Sequence, residues 1–145
     1  MRCTHIIGPP GSPGPTASQM LLDGKRSVPI LGNGKQLVAP VYIGDVVSAI
    51  LAALQADING TFDLQGPDEM TINDLVRLLN NSEKVRISHL PGTMARFLKY
   101  FGPKLPGALI DVMLHDSRSK NPTAAKTFNL SLTSLEGIWD KAPLS

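Results

Sequence analysis

The 145-residue chain has one cysteine, few aromatic residues and little net charge. The single cysteine, Cys3, excludes an internal disulfide and any zinc site built from several cysteines. Aromatic residues make up 5% of the chain, so aliphatic side chains must fill the core that its 42% hydrophobic content allows. The formal net charge of +2 is too small to indicate nucleic acid as a partner.

The sequence also has no long apolar run and no repeat. A transmembrane helix needs about 18 or more consecutive apolar residues, and no run reaches that length. The N-terminus meets glycines and prolines at residues 8–11 and shows no charged-then-apolar signal pattern. These features predict a cytoplasmic protein, or one that contacts a membrane only peripherally. The length suits one domain and is too short for two.

The first 83 residues alternate between predicted strands and helices. Residues 2–7 predict a short strand, followed by a loop and a short helix over 16–24. Extended pieces over 28–31 and 36–43 flank Gly32-Asn33-Gly34, a strong turn signal. Residues 60–65 alternate as a strand does, and the succession of elements indicates parallel pairing.

Two helices stand out in this part of the chain. Asp45 is predicted to cap the first helix, because its carboxylate can accept from free backbone N–H groups. Thr71 is predicted to cap the second. The apolar positions at helical spacing predict one buried face on each helix, formed in the first by Val46, Val47, Ile50, Leu51 and Leu54 and in the second by Ile72, Leu75, Val76 and Leu79.

From residue 84 the sequence indicates a mainly helical part. A strand is predicted over 85–88, apolar helices over 91–101 and 106–115, and a short helix after Asn121-Pro122. Thr133, with Glu136 three residues later, forms a capping box for the last turn.

The stretch Lys84–Lys104 carries five basic residues and no acidic one. It is interpreted either as a helix on an anionic membrane or partner, or as a core-facing helix with a solvated basic side.

Few residues of the sequence are spaced so that they could form a catalytic, metal or phosphate site. The consecutive residues His115, Asp116 and Ser117 point in divergent directions, which argues against a catalytic triad. The three histidines lack ligand-like spacing, so no metal site is predicted. The Gly-Pro loop over 8–14 lacks phosphate-loop spacing, and its prolines remove N–H donors. His5 differs because it ends a strand beside this loop, where ligands bind in open α/β sheets.

Four segments resemble, in order, the second half of extended and atypical short-chain dehydrogenases/reductases, the NAD-dependent epimerase/dehydratase family. Residues 2–9 (RCTHIIGP) resemble the R-x-x-x-h-Y-G-P strand and loop of that family, where h is apolar. Residues 29–34 (PILGNG) resemble its P-h-h-G-x-G turn, and residues 40–46 (PVYIGDV) its h-h-x-V-x-D-h signature. Residues 60–71 (GTFDLQGPDEMT) resemble the G-x-h-x-h-x-G-P strand and the capped helix after it.

This resemblance implies an α/β fold. The chain would be a single incomplete domain over 1–145, the C-terminal part of an NAD(P)-binding Rossmann-type fold with short parallel strands and a small helical substrate-side subdomain. Residues 1–83 would be the end of the sheet and its substrate-side part, and residues 84–145 the mainly helical part. The sequence at 39–43 and the helices over 90–115 resemble the branch related to the dehydrogenase-like accessory subunit of respiratory complex I.

Two motifs of the family do not occur where the resemblance places them. Its G-x-x-G-x-x-G fingerprint and its Tyr-x-x-x-Lys pair should precede Arg2, and the only tyrosines are Tyr42 and Tyr100. Tyr100 with Lys104 fits the second pattern but lies too late. The resemblance therefore implies that NAD or NADP serves a full-length parent, and that this chain alone binds neither and is not catalytically competent.

The resemblance also assigns site residues. It places the cofactor-binding strand end at Cys3, Thr4, His5 and Ile6. It places the rim of the substrate pocket at Gly8, Pro9, Val38 and Tyr42. The sugar-nucleotide members carry asparagines at the positions of His5 and Ile6 and an arginine at that of Val38. Because a buried phosphate needs such donors, their loss argues against a nucleotide-sugar substrate.

The sequence thus predicts the substrate-recognition portion of an NAD(P)-dependent oxidoreductase, epimerase or dehydratase. The alternatives are a non-catalytic structural or lipid-docking protein of the complex I accessory type, and an orphan fragment without activity. The expected partners are a missing N-terminal Rossmann half or a second copy, an unidentified small-molecule substrate and, through Lys84–Lys104, a membrane surface. An exposed apolar face that promotes self-association is expected near residues 3–7 and 61–64.

Overall fold

The computed structural model describes residues 1–9, 26–80, 85–91 and 114–139. The predicted helix over 16–24 lies outside these residues, as do Tyr100 and nearly all of the apolar helices over 91–101 and 106–115. The strands are β1 Arg2–Cys3, β2 Ile6–Ile7, β3 Ser27–Leu31, β4 Leu37–Val38, β5 Val41–Tyr42, β6 Asp63–Leu64, β7 Met70–Thr71 and β8 Arg86–Leu90. The helices are α1 Ile43–Ala56, α2 Ile72–Leu79, α3 Ala124–Thr127 and α4 Leu135–Trp139.

The strands form two-stranded ladders, most of them parallel. β1 pairs with β6, β2 with β5 and β3 with β8, all parallel, whereas β4 and β7 are antiparallel. The parallel pairing predicted for this part of the chain is confirmed. The predicted strand over 2–7 is divided into β1 and β2, which have different partners, and the one over 36–43 is divided at Ala39-Pro40. Proline has no N–H to donate to a ladder, which accounts for the second division.

The predicted turn at Gly32-Asn33-Gly34 is present, but its flanking strands do not pair with each other. Both glycines adopt positive φ, 79° at Gly32 and 68° at Gly34. The backbone N–H of Asn73, in α2, donates to the Gly34 carbonyl oxygen at 3.1 Å. A Cβ at position 34 would collide with the Asn73 side chain. The turn therefore docks on the start of α2.

The described part of the chain has two main hydrophobic clusters. The first lies between α2, α4 and strands β2–β4 and includes Leu75, Leu135 and Trp139. The Trp139 indole N–H donates to the Leu79 carbonyl oxygen at 3.3 Å, so the polar group of the largest buried side chain has a hydrogen-bond partner. The second cluster joins α1, β5, β6 and α3. β3 and β8 pair across residue 84, and the domain division proposed there stays a prediction.

The start of α2 agrees with the prediction, and the start of α4 does not. The Thr71 hydroxyl accepts from the Asp74 N–H at 3.2 Å, which confirms the predicted cap of α2. A short helix, α3, follows Pro122 as predicted. The Thr133–Glu136 capping box is wrong. The N–H of Leu135, at the start of α4, instead donates to Asp68 Oδ2 at 2.9 Å.

The predicted cap of α1 is also wrong. α1 has Tyr42 at its N-cap, and no side chain caps it. Asp45 lies inside the first turn and is buried. Its carboxylate accepts from the Thr133 N–H at 2.7 Å and from the Thr133 hydroxyl at 2.8 Å. The two failures have one cause, since Asp45 and Thr133 bind each other across 88 residues rather than their own helices.

α1 reverses the burial predicted from its sequence. Of the predicted apolar face only Val46 is buried, together with Ala49. The other four positions are about half exposed or more, namely Val47 (51%), Ile50 (47%), Leu51 (55%) and Leu54 (75%). The prediction of an exposed apolar face near residues 3–7 and 61–64 is wrong, because Ile7 and Leu64 are fully buried. Among the described residues, no helix is long and apolar enough to cross a membrane.

Candidate functional site

A polar cleft lies along the parallel strands β1 and β6 and reaches Thr4, just past the carboxyl end of β1. It encloses about 260 Å³ and is closed on one side by the segment 116–119. We call it the strand-end cleft. Ligands bind at such strand ends in open α/β sheets. Its lining residues from the strands are Arg2, Cys3, Thr4, Asp63 and Leu64, and those from the segment are Asp116, Ser117, Arg118 and Ser119.

Backbone hydrogen bonds hold the segment 116–119 along β4. The Ser117 N–H donates to the Leu37 carbonyl oxygen at 2.8 Å, and the Ala39 N–H donates to the Ser117 carbonyl oxygen at 3.1 Å. The Asp116 carboxylate accepts from the Leu37 N–H at 2.9 Å. These bonds fix the wall of the cleft as an added parallel bridge opposite Val38.

His5 lies directly behind this wall and contacts Ser117. The distance between His5 Nδ1 and Ser117 Oγ is 3.0 Å. His5 is only 6% exposed. Burial lowers the pKa of its imidazole below 6.5, so the ring is neutral at pH 7. Thr4, next to it, donates its hydroxyl to the Ala39 carbonyl oxygen. The polar ends of both side chains are therefore bound within the chain.

Asp63 links the floor of the cleft to its wall. Its carboxylate accepts from the Arg2 guanidinium at 2.6 Å and from the Ser119 hydroxyl at 2.8 Å. The hydrogen bonds from Arg2 and Ser119 lower the pKa of Asp63 below 3.8. The Ser119 N–H donates to Gln65 Oε1 at 2.8 Å, which fixes Ser119 from the far side. Asp63 is therefore ionised and bound on both of its oxygens.

A second, wider cavity of about 560 Å³ adjoins the strand-end cleft and shares residues of its wall. Arg118 lies between the two and donates to Glu69 at 3.0 Å. The basic residues around both cavities (Arg2, Arg118 and Lys120) are matched in number by the acidic ones (Asp63, Glu69 and Asp116). This balance of charge suits a neutral polar ligand better than a phosphate.

Cys3 lines the cleft as a thiol. Burial raises its pKa above 9.0. A thiol is a far weaker nucleophile than a thiolate, so Cys3 contributes contact surface here and not reactivity. Among the described residues, no three His, Cys, Asp or Glu side chains are grouped so that they could hold a metal ion.

The structure brings the predicted cofactor-side residues together but separates the predicted substrate-side ones. Cys3 and Thr4 line the cleft and His5 lies behind it, whereas Ile6 is half-buried in β2 against the second hydrophobic cluster. The remaining predicted residues line neither cavity. Gly8 is buried and Pro9 exposed, Val38 is fully buried, and Tyr42 is half-buried at the start of α1. Their roles stay predictions.

The residues that build the far side of the cleft were missed from the sequence. The sequence triad His115, Asp116 and Ser117 is correctly rejected, because Ser117 contacts a different histidine, His5, 112 residues away. Asp116 accepts from the backbone N–H of Leu37. Only the tertiary fold joins Ser117 and Ser119 to β1 and β6, so no local signal reveals them.

The described residues do not offer a cradle for the pyrophosphate of NAD(P). Anions bind helix N-termini that have free N–H groups and no nearby negative charge. α1 and α2 each carry a carboxylate in the first turn, Asp45 and Asp74, and Thr71 occupies the Asp74 N–H. These residues do not fit the pyrophosphate.

Comparison with protein families supports the resemblance found in the sequence. Residues 1–64 match the model of the NAD dependent epimerase/dehydratase family. The matched residues include β1, the Gly-Asn-Gly turn, α1 and β6. Subunit 9 of the NADH dehydrogenase [ubiquinone] 1 alpha subcomplex, mitochondrial, from Arabidopsis thaliana is 38% identical over 55 residues. That match covers 36% of this chain and 14% of the plant protein.

Solved structures show the same fold. UDP-glucuronic acid 4-epimerase from Bacillus cereus, in complex with UDP-glucuronic acid and NAD, superposes with a TM-score of 0.66 at 18% identity. The match covers 96% of this chain and 41% of that one. A human epimerase family protein with NADPH gives a TM-score of 0.58 at 17% identity, covering 97% of this chain and 48% of that one. The chain thus has a Rossmann-type α/β fold and spans less than half the length of these structures.

Proposed function

We propose that this chain is the substrate-recognition portion of an NAD(P)-dependent oxidoreductase, epimerase or dehydratase of the short-chain dehydrogenase superfamily. In this proposal the chain is not catalytically competent alone. The strand-end cleft is the observation that carries it. The cleft runs along two parallel strands and reaches the carboxyl end of β1, and ligands bind at strand ends in this class of fold. The two strands that line it, β1 and β6, lie within residues 1–64, which match the epimerase/dehydratase family.

The proposed substrate is a neutral polar small molecule. The arginines of the cleft already have carboxylate partners, Arg2 with Asp63 and Arg118 with Glu69. The position at which the sugar-nucleotide members carry a phosphate-binding arginine is Val38, which has no exposed surface. A nucleotide phosphate would therefore meet neither an uncommitted arginine nor net positive charge in the cleft.

NAD or NADP is the proposed cofactor of the parent enzyme. Related structures contain NAD in one case and NADPH in another. The carboxylates in the first turns of α1 and α2 disfavour a pyrophosphate at either helix. We therefore expect this chain alone to bind neither dinucleotide.

Fluorescence titration of NADH and NADPH tests this proposal. The titration is made against the 145-residue chain and against any longer product that its gene encodes. We expect binding by the longer product only. In that product, Ser117→Ala should raise the KM for the small-molecule substrate about tenfold or more, because it removes a polar group from the cleft wall, and should leave NADH affinity unchanged.

Arg77→Ala is the matched control, since Arg77 is exposed on α2 and away from the cleft. It should change neither KM nor NADH affinity. Tight NADH binding by the 145-residue chain would contradict the proposal. Binding by neither protein would favour the second candidate function.

The second candidate is a non-catalytic structural or docking role of the complex I accessory type. The identity to the plant complex I subunit favours it. It would place the protein in mitochondria, as that relative is named, whereas the first candidate is a cytoplasmic enzyme. The basic stretch Lys84–Lys104 would be its membrane or partner contact. Only Val85–Pro91 of that stretch is described, and Arg86 is exposed there on β8.

Native gel electrophoresis of solubilised mitochondrial membranes separates the two candidates. Comigration of the tagged protein with complex I supports the docking role. The substitution Arg86→Glu should then weaken the association if the basic stretch makes the contact, whereas Arg77→Glu should not. Recovery of the protein only in the cytosolic fraction would contradict this candidate.

A further inference from the structure

The exposed side of α1 is apolar on one flank and polar on the other. Val47, Ile50 and Leu54 are about half exposed or more. At about 3.6 residues per turn these three side chains share one flank of the helix, which we call the open flank. Ser48 and Gln55 are also exposed and lie on the opposite flank. Contiguous exposed apolar residues of this kind mark an interaction site.

A groove of about 350 Å³ joins the open flank to the start of the sheet. Ile50 and Leu54 line it from the helix, and Met1, which directly precedes β1, lines it from the strand side. Phe62, which directly precedes β6, also lines it, and the charged Asp57 lies where α1 ends. The apolar surface therefore continues from α1 to the beginning of β1.

The backbone of β1 is paired on one edge and open on the other. The Arg2 N–H donates to the Phe62 carbonyl oxygen at 2.8 Å, and the Thr4 N–H to the Leu64 carbonyl oxygen at 3.1 Å. Because backbone groups alternate in direction along a strand, the N–H and the carbonyl of Cys3 point away from β6. Within the described residues, β6 is the only strand that pairs with β1. An open edge of this kind can pair with a further strand.

The open edge and the open flank suit one partner. Neighbouring strands lie about 4.8 Å apart, and packed helices lie about 8–10 Å apart, so one helix covers the width of about two strands. A helix packed beside α1 therefore lies over strands that are added beside β1. The partner that fits both surfaces is a strand with a helix on the same face of the sheet, and that helix has an apolar side.

We infer that this partner is the remaining part of a Rossmann-type fold, which pairs a strand with β1 at Cys3 and packs a helix on the open flank. The chain spans 41% of one solved structure with its fold and 48% of another, so more than half of such a fold lies outside the match. The inference rests on the proposed function, in which the parent enzyme supplies the cofactor site. A second copy suits the edge less well, because a two-fold axis would pair two short β1 strands antiparallel.

The added strand would also complete the strand-end cleft. Arg2, Cys3 and Thr4 line the cleft from β1 and the residue after it. A strand beside β1 therefore extends the floor of the cleft beyond these residues. In this arrangement the substrate contacts are divided between the 145-residue chain and its partner.

A photo-reactive residue at position 54 tests the identity of the partner. A tagged chain with benzoylphenylalanine in place of Leu54 is expressed in cells that carry its gene, and cross-linked peptides are identified by mass spectrometry. We expect a product that carries a G-x-x-G-x-x-G fingerprint, on a separate polypeptide or on a longer product of the same gene. The same residue in place of Gln55, on the polar flank, is the control and should give no such product. Cross-linking to a second copy or to a partner without the fingerprint, or no cross-linking, would overturn the inference.

A pair of proline variants tests the open edge. Cys3→Pro removes an N–H that points away from β6, so the 145-residue chain should keep its circular dichroism. Thr4→Pro removes the N–H that binds Leu64 and should destabilise the chain. In the cross-linking assay, Cys3→Pro should abolish the product from position 54, whereas Cys3→Ala, which removes only the thiol, should retain it. A product that Cys3→Pro leaves unchanged would overturn the strand addition.

Hydrogen exchange tests the same edge without a substitution. The Cys3 N–H should exchange freely in the 145-residue chain and slowly in the complex or longer product, whereas the Thr4 N–H should be protected in both. Equal exchange at Cys3 in the two samples would overturn the inference. NADH titration of the complex separates the inference from the proposed function. A complex that protects Cys3 and binds no dinucleotide would support the inference and contradict the proposed function.

Discussion

α1 and α2 differ in the kinds of residue that they bury. α2 places its large apolar side chains in the core and its polar ones in water, so its burial follows its hydrophobic pattern. α1 places a carboxylate, Asp45, the small Ala49 and one β-branched residue, Val46, inward. Its large residues, such as Leu51 and Leu54, are in water. The difference teaches that the spacing of apolar residues predicts the buried face of a helix only when its other residues are polar. Those polar residues then determine which face meets water.

The two helices are also anchored differently. α2 is held by apolar contacts to α4 and by a capped first turn. α1 is held by contacts of Val46 and Ala49 with the second cluster and by the bonds from Asp45 to Thr133. Stability should therefore respond to hydrophobic truncation in α2 and to loss of a polar anchor in α1.

The largest expected effect is a difference in the free energy of unfolding between variants of two leucines. Leu75→Ala, at a fully buried position in α2, should lower the free energy of unfolding by about 2–5 kcal/mol, because it removes buried methyl groups and leaves a cavity. Leu51→Ala in α1 should change it by no more than about 0.5 kcal/mol, measured where the protein is monomeric. Urea denaturation followed by circular dichroism measures both. Equal losses would show that Leu51 is covered in solution.

A second variant addresses the polar anchor. Asp45→Ala should cost about 2–3 kcal/mol, because the Thr133 N–H and hydroxyl lose a charged acceptor in a partly buried place. Asp74→Ala, at the first turn of α2, removes an exposed carboxylate and should cost about 1 kcal/mol or less. Thermal unfolding of the pair measures the contrast. A smaller loss at position 45 than at 74 would mean that α1 does not depend on this anchor.

Parts of the fold that depend on local chemistry were predictable from the sequence. The Thr71 cap, the Gly-Asn-Gly turn and the buried face of α2 follow from the residues themselves, and all three are present. The parallel pairing follows from the order of the elements. The resemblance to the epimerase/dehydratase family is supported by the match over residues 1–64.

Long-range polar bonds were not predictable. The sequence offers Asp45 and Thr133 good local roles as helix caps, and both roles are lost to a bond that spans 88 residues. The contact between His5 and Ser117 spans 112 residues and likewise has no local signal. The exposed side of α1 was misplaced for a related reason, since residues 46–56 contain no charged residue that would indicate which side meets water.

The difference in capping between α1 and α2 predicts a smaller effect on stability. Thr71→Ala should lower stability by about 1 kcal/mol, because the Asp74 N–H loses its acceptor at the start of α2. α1 has no side-chain cap, so the serine within this helix, Ser48, is the control. Ser48 donates to the Gly44 carbonyl oxygen in mid-helix, and Ser48→Ala should be neutral or slightly stabilising. Chemical denaturation compares the two, and a larger loss at position 48 would contradict the assignment of the caps.

The smallest effect concerns pH and belongs to neither helix, since neither contains a histidine. Burial holds the pKa of His5 below 6.5 in the folded protein, so the unfolded chain binds more protons in the range just below that value. The free energy of unfolding should therefore fall as the pH drops from 7 to 5. Denaturant midpoints at several pH values measure this slope, and His5→Asn should make it shallower. Ser117→Ala should keep the slope, because burial and not the hydrogen bond lowers the pKa. A slope that Ser117→Ala abolishes would instead make the contact between His5 and Ser117, at the wall of the strand-end cleft, the cause.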